Sequence, residues 1–134
     1  MSTTPLSEDQ RKSLELIQGI VGRLSTHGFL LKGWAVTLVT ALQTFSGSAG
    51  PARVAALALL PALIFWVLDA YLLAQEHGYR HLFDQTRLGR RDAFDFELPR
   101  LTARQWIGAA VRRVHLMFYL PLLAVVLVIL GRFL

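Results

Sequence analysis

Residues 29–45 read FLLKGWAVTLVTALQTF, and residues 54–73 read VAALALLPALIFWVLDAYLL. Between them stands the octet SGSAGPAR. At about 1.5 Å per residue, the two runs make helices of about 25 and 30 Å, close to the hydrocarbon thickness of a bilayer. So short a Gly- and Ser-rich connection makes them antiparallel neighbours. The stretch predicts a transmembrane helical hairpin. Pro51 suits the first turn of the second span. Pro61 lies inside that span and frees the carbonyl four residues earlier, so a kink is expected there.

Each run carries one charged residue, Lys32 in the first and Asp69 in the second. An ionisable group inside a span is costly and needs a partner or water. In an antiparallel hairpin, residues whose numbers share a sum lie at the same depth. With the loop centred at about residue 50, Lys32 faces the level of residue 68 or 69. An intramembrane charge pair Lys32–Asp69 is therefore expected. The alternative is that Lys32 snorkels alone to the headgroups, which the shorter Asp69 does less well. Thr37, Thr40, Gln43 and Thr44 are also poor residues to present to lipid. They are expected either to hydrogen-bond within a helix bundle or to line a wet path. Trp34, Trp66 and Tyr71 are placed as interfacial aromatics.

The composition agrees with a membrane location: 54% of the 134 residues are hydrophobic and only 17% are charged. There is no cysteine, which excludes disulfides and thiolate metal sites. A cleaved signal peptide is not expected, because the first apolar run begins behind a long polar stretch and contains Lys32.

Outside the hairpin, Leu14, Ile17, Ile20, Val21 and Leu24 recur at spacings of three and four, which predicts an amphipathic helix over 11–25. Ser7 and Gln10 form a capping box before it. The second span, 54–73, is expected to continue as helix to about residue 88 and to end at Gly89. Residues 89–101 alternate Phe94, Phe96 and Leu98 with acids and are read as an extended loop. Thr102 and Gln105 form a capping box for a helix over 102–115, which leads into a third span at 116–133. The predicted fold class is all-α: one integral membrane domain over 1–134, with three transmembrane helices and a cytoplasmic helical extension.

Orientation follows from the cations. Residues 1–28 and 74–114 hold eleven of the fourteen Lys and Arg, and the opposite side holds only Arg53 and Arg132. The positive-inside rule puts the N-terminus and the long loop in the cytoplasm and the C-terminus outside a bacterial inner membrane.

No catalytic signature is present: there is no phosphate-binding glycine loop, nucleophile elbow or paired-histidine zinc motif. Neither a catalytic residue nor a cofactor is expected. His77 and His81 share a helix face but lack a clear third ligand, so no metal site is expected and the pair is read as a solvated face. Arg80, Arg87, Arg90, Arg91, Arg112 and Arg113 are read as cytoplasmic basic residues that meet anionic headgroups. Glu76, Asp84, Asp92, Asp95 and Glu97 are mixed among them, which argues against nucleic acid as a partner.

The order LKGWAVTL, loop, LPALIFWVLDAYLLAQE, YRHLFDQTR and AFDF resembles small bacterial multi-span membrane proteins of unassigned role. In general plan the chain also resembles the two-helix SLATT-type membrane effectors, with a helical hairpin, a cytoplasmic helix and a basic loop. That resemblance implies a pore that depolarises the inner membrane. The expected function is thus a homo-oligomeric, pore-forming or channel-like membrane effector. The alternative is a structural or adaptor subunit that anchors a soluble cytoplasmic partner through residues 74–114.

Overall fold

The computed structural model of this chain describes residues 5–45 and 50–134. The described residues are all-helical, with no strand, and three of the helices are long and apolar enough to cross a membrane. Helix α1 is Glu8–Phe45, α2 is Pro51–Leu57, α3 is Leu59–Arg87, α4 is Ala103–Ala110 and α5 is Arg113–Gly131. Half of the predicted hairpin connection, residues 46–49, lies outside the described residues.

Three helix boundaries differ from the sequence reading. The amphipathic helix predicted at 11–25 and the span at 29–45 are one helix of 38 residues. Ser25, Thr26 and Gly28 do not end it, and Thr26 Oγ1 donates back to the Gly22 carbonyl at 3.0 Å, so the polar side chain stays within the helix. The second span is interrupted at Ala58, where the chain tightens through an Ala58 N–H to Ala55 carbonyl bond. The cause is Pro61, which has no N–H to give the Leu57 carbonyl. The helix predicted to run through 102–115 into the third span is broken at Val111–Arg112, and α5 begins afresh at Arg113.

Two termini follow their sequence signals closely. At the start of α4, Gln105 N–H donates to Thr102 Oγ1 at 3.2 Å and Thr102 N–H to Gln105 Oε1 at 3.1 Å, a reciprocal capping box. At the end of α3, Gly89 adopts a φ of 72°, which glycine takes at no steric cost. The Gly89 N–H then reaches the Thr86 carbonyl and the Arg90 N–H the Gln85 carbonyl, satisfying the last turn as a Schellman motif.

The core is a row of small contacts along α3. Ala58, Ala62, Ala70 and Ala74 are buried at four-residue spacing, with half-buried Trp66 completing the row. Small side chains let neighbouring helix backbones approach closely. Ala58 and Ala62 pack with Val39 of α1 and Val126 of α5, while Ala70 and Ala74 pack with Ala109 of α4. At the α4 end of the bundle, Ile17 and Val21 of α1 meet Leu82 of α3 beneath Phe96 and Leu98. There the segment 90–101 folds back on α1, with the Phe94 N–H donating to the buried Ser13 Oγ at 2.7 Å. That bond holds Phe94 at a φ of 62°, a region non-glycine residues seldom occupy. The outward face is apolar: Phe29, Leu30, Trp34, Ile64, Met117 and Val128 are all exposed. So continuous an apolar exterior belongs in lipid, and the chain is a membrane protein.

Candidate functional site: a buried charge cluster

Asp69 is the most enclosed carboxylate of the bundle, 2% exposed on the inward face of α3. Three side chains from two other helices converge on it. Lys32 Nζ of α1 stands 2.6 Å from Oδ2. The Tyr119 hydroxyl of α5 donates to the same oxygen at 2.9 Å. His115 Nε2, also on α5, faces Oδ1 at 3.4 Å. Lys32 retains about a fifth of its side-chain exposure, so the cation reaches from the cluster toward the bundle surface.

The break between α4 and α5 makes this geometry possible. In an unbroken helix, the Ala109 and Ala110 carbonyls would accept from residues four positions on. The turn at Val111–Arg112 leaves the Ala110 carbonyl to a side chain, while the Ala109 carbonyl takes the Arg112 N–H at 3.2 Å and a side chain beside it. His115 Nδ1 lies 2.9 Å from the Ala109 carbonyl, and Trp66 Nε1 donates to the Ala110 carbonyl at 3.0 Å. A carbonyl only accepts, so Nδ1 carries the proton, and Nε2 bonds the carboxylate only when it is protonated as well. Trp106 Nε1 of α4 donates in turn to the Val67 carbonyl of α3 at 3.0 Å. Trp66 then stacks on Tyr119 with ring centroids 5.7 Å apart and planes 5° from parallel. Stacking aims the tyrosine hydroxyl at Asp69.

The remaining residues singled out in the sequence are placed as follows. Trp34 is exposed on the outside of α1, whereas Trp66 is half-buried and gives its indole N–H to the α4–α5 corner. Tyr71 is on the surface, its ring 5.4 Å from Trp106. Thr37 and Thr44 lie exposed on α1, and each hydroxyl returns to the carbonyl one turn back, at 2.9 Å. These two groups therefore do not depend on a neighbouring helix or on water for a hydrogen bond. Thr40, Gln43 and Thr44 border a groove shared with Leu122, Val125 and Ile129 of α5.

Arg80 is paired with Glu76 at 2.7 Å and Arg87 with Asp84 at 3.5 Å. Arg91 binds Asp95 at 2.9 Å. Arg90, Arg112 and Arg113 are exposed. His77 and His81 line a cleft rather than an open face, which a helix periodicity alone does not reveal.

Tyr119, His115 and Trp106 were not singled out by sequence reasoning. The signal was available for the first two: a histidine and a tyrosine one turn apart at the head of an otherwise apolar span.

The cluster holds no nucleophile–base pair, and no group of three or more potential metal-ligating side chains occurs among the described residues. What it does is electrostatic: one carboxylate ties α1, α3 and α5 together at one depth. No known family, no curated protein and no solved structure matches this chain.

Proposed function

We propose that the chain works as a homo-oligomer in a bacterial inner membrane, and that several copies enclose a pore or channel-like path between them. The observation that carries this reading is the outer face of α1. Thr37, Thr40 and Thr44 stay exposed in its apolar half, and Thr40 and Thr44 border, with Gln43, a groove of about 470 Å³ shared with α5. The Thr37 and Thr44 hydroxyls already donate within α1, but their oxygens keep acceptor capacity that another helix or water can use, and lipid cannot. The charged groups inside the spans, Lys32 and Asp69, are in contrast paired within one chain. Three packed spans leave no room for an aqueous path along their own axis, so a path would run between copies, lined by the α1 face. This fits the pore-forming effectors that the chain resembles in layout.

The orientation in this proposal puts the N-terminus, the end of α3 and α4 in the cytoplasm and the C-terminus outside. The contact between Ser13 and Phe94 supports it by gathering the cation-rich segments at one end of the bundle. The chain is proposed to act without catalysis.

Because the chain lacks cysteine, single cysteines can be placed freely. Thr40→Cys should cross-link between copies in membranes, whereas Ile64→Cys, on the lipid face of α3, should not. Liposomes carrying the protein should conduct, and Thr37→Leu with Thr44→Leu should reduce the conductance. A particle that stays monomeric in bilayers would remove this reading. A second reading, an anchor for a soluble partner, is favoured by the packed platform of α3, the 90–101 segment and α4. An anchor would leave the liposomes sealed.

A further inference from the structure

A cleft of about 560 Å³ opens at the α4 end of the bundle, between the last turns of α3, the 90–101 segment and α4. Its charged lining is of one sign. Arg91 and Arg112 border it, His77 and His81 face it from α3, and no carboxylate is among its lining residues. In a region where acids and bases are otherwise interspersed, that separation is a property of the fold, and it comes from how the acids are used. Asp95 is turned onto Arg91, taking Nε and Nη2 at 3.1 and 2.9 Å, and Glu76 is bound to Arg80.

Two of the basic groups remain uncommitted. The side chains of Arg112 and His77 have neither an ion pair nor a hydrogen bond among the described residues, yet both border the same cleft. Beside these groups the cleft is lined by Gln75, Gln85 and Gln105 and by an apolar floor. A Cβ on Gly78 would meet Leu98 Cδ1 at 3.2 Å, so the bare glycine is what lets Leu98 lie down against α3. Leu82 and Leu101 extend that floor. The cleft begins at Ala74 and Gln75, the turn after Tyr71, whose ring packs on Trp106 in the manner of an interfacial pair.

We propose that this cleft binds a phosphate group, with Arg112 supplying charge and donors, His77 an imidazole N–H donor, and the leucine floor taking the apolar part of the molecule that carries it. Guanidinium and imidazole donors match phosphate oxygens. A space of about 560 Å³ exceeds a bare phosphate and suits a phosphate ester. The ester has two sources, the headgroup of an anionic phospholipid from the adjoining leaflet or a soluble phosphate ester, and the phosphate is common to both. The assignment is independent of self-association.

The test uses the full chain in nanodiscs of phosphatidylcholine, with and without phosphatidic acid, and glycerol 3-phosphate as the soluble probe. Native mass spectrometry reads retained lipid, and phosphorus NMR line broadening reads the soluble ester. The double variant Arg112→Gln, His77→Gln should lower binding about tenfold, the scale of one charge-assisted contact. Arg113→Gln removes the same charge one residue along, outside the cleft, and should leave binding unchanged.

Retained phosphatidic acid that glycerol 3-phosphate does not displace identifies the headgroup; binding of glycerol 3-phosphate in phosphatidylcholine alone identifies a soluble ester. Both outcomes support the site. Arg112 is exposed, so Arg112→Gln alone keeps the fold and decides the matter should the double variant lose helix content. The proposal is overturned if neither probe binds, or if Arg113→Gln costs as much as the change at Arg112.

Discussion

A methyl group placed on Gly28 of α1 would stand 3.1 Å from Asp69 Oδ1 of α3. The bare glycine thus leaves room on α1 for the carboxylate of α3. That carboxylate is held by Lys32 and Tyr119, so it has little freedom to move aside. Gly28→Ala should be destabilising by up to about 2 kcal/mol: crowding costs about 1–3 kcal/mol against a helix-propensity gain of about 1 kcal/mol. Gly33, with nothing near its would-be Cβ, is the control. Gly33→Ala should be neutral or stabilising, as read by unfolding titrations in mixed detergent micelles.

Tyr119→Phe removes one hydroxyl and keeps the ring stack on Trp66. The lost bond goes to a charged, buried acceptor, so the cost should be about 1.5–3 kcal/mol. Tyr71→Phe, on the surface, should cost under about 0.5 kcal/mol. The same titrations compare the two, and equal effects would show that the Tyr119 hydroxyl does not hold the carboxylate.

The hairpin is the part of this architecture that the chain displays most openly. Two apolar runs and a short polar connection leave few alternatives. The arithmetic of an antiparallel pair puts Lys32 at the depth of Asp69, and the two side chains meet at 2.6 Å. The contribution of α5 is harder to read. Where His115 and Tyr119 point depends on the break at Val111–Arg112, and ARQWIGAAVRRVH contains neither proline nor a strong stop signal at that place. The break is stabilised by side-chain bonds, from Trp66 to the Ala110 carbonyl and from His115 to the Ala109 carbonyl, which local propensity does not contain. The same holds for Trp66, whose position near a span's end suggests the interface while its N–H is needed inside. Thr37 and Thr44 show the reverse: their polarity is visible in sequence, but their back-bonding to α1 is not.

The 90–101 segment should loosen in acid. Hydrogen bonds from Arg91, then the Glu97 backbone N–H, hold the Asp95 carboxyl below the usual carboxylate range. A group whose folded value is depressed adds stability above its unfolded value, about pH 4, and loses it as the pH falls through the folded value. Amide exchange in this segment, corrected for intrinsic rates, should rise below about pH 4 relative to α3. In Asp95→Asn it should be raised at neutral pH and lose that acid dependence. An unchanged profile in the variant would mean that Asp95 does not pin the segment.

The central claim is that Asp69 and Lys32 form one internal unit that locks the spans of a single chain, and a double-mutant cycle in bicelles tests it most directly. Lys32→Met strands a carboxylate that is 2% exposed and should cost about 3–5 kcal/mol. Asp69→Leu leaves a lysine that already reaches the bundle surface and can snorkel, so it should cost less. The double variant should be more stable than Lys32→Met alone, with a coupling of about 1–3 kcal/mol. Strictly additive losses would contradict the lock and leave Asp69 an independent group within the bundle.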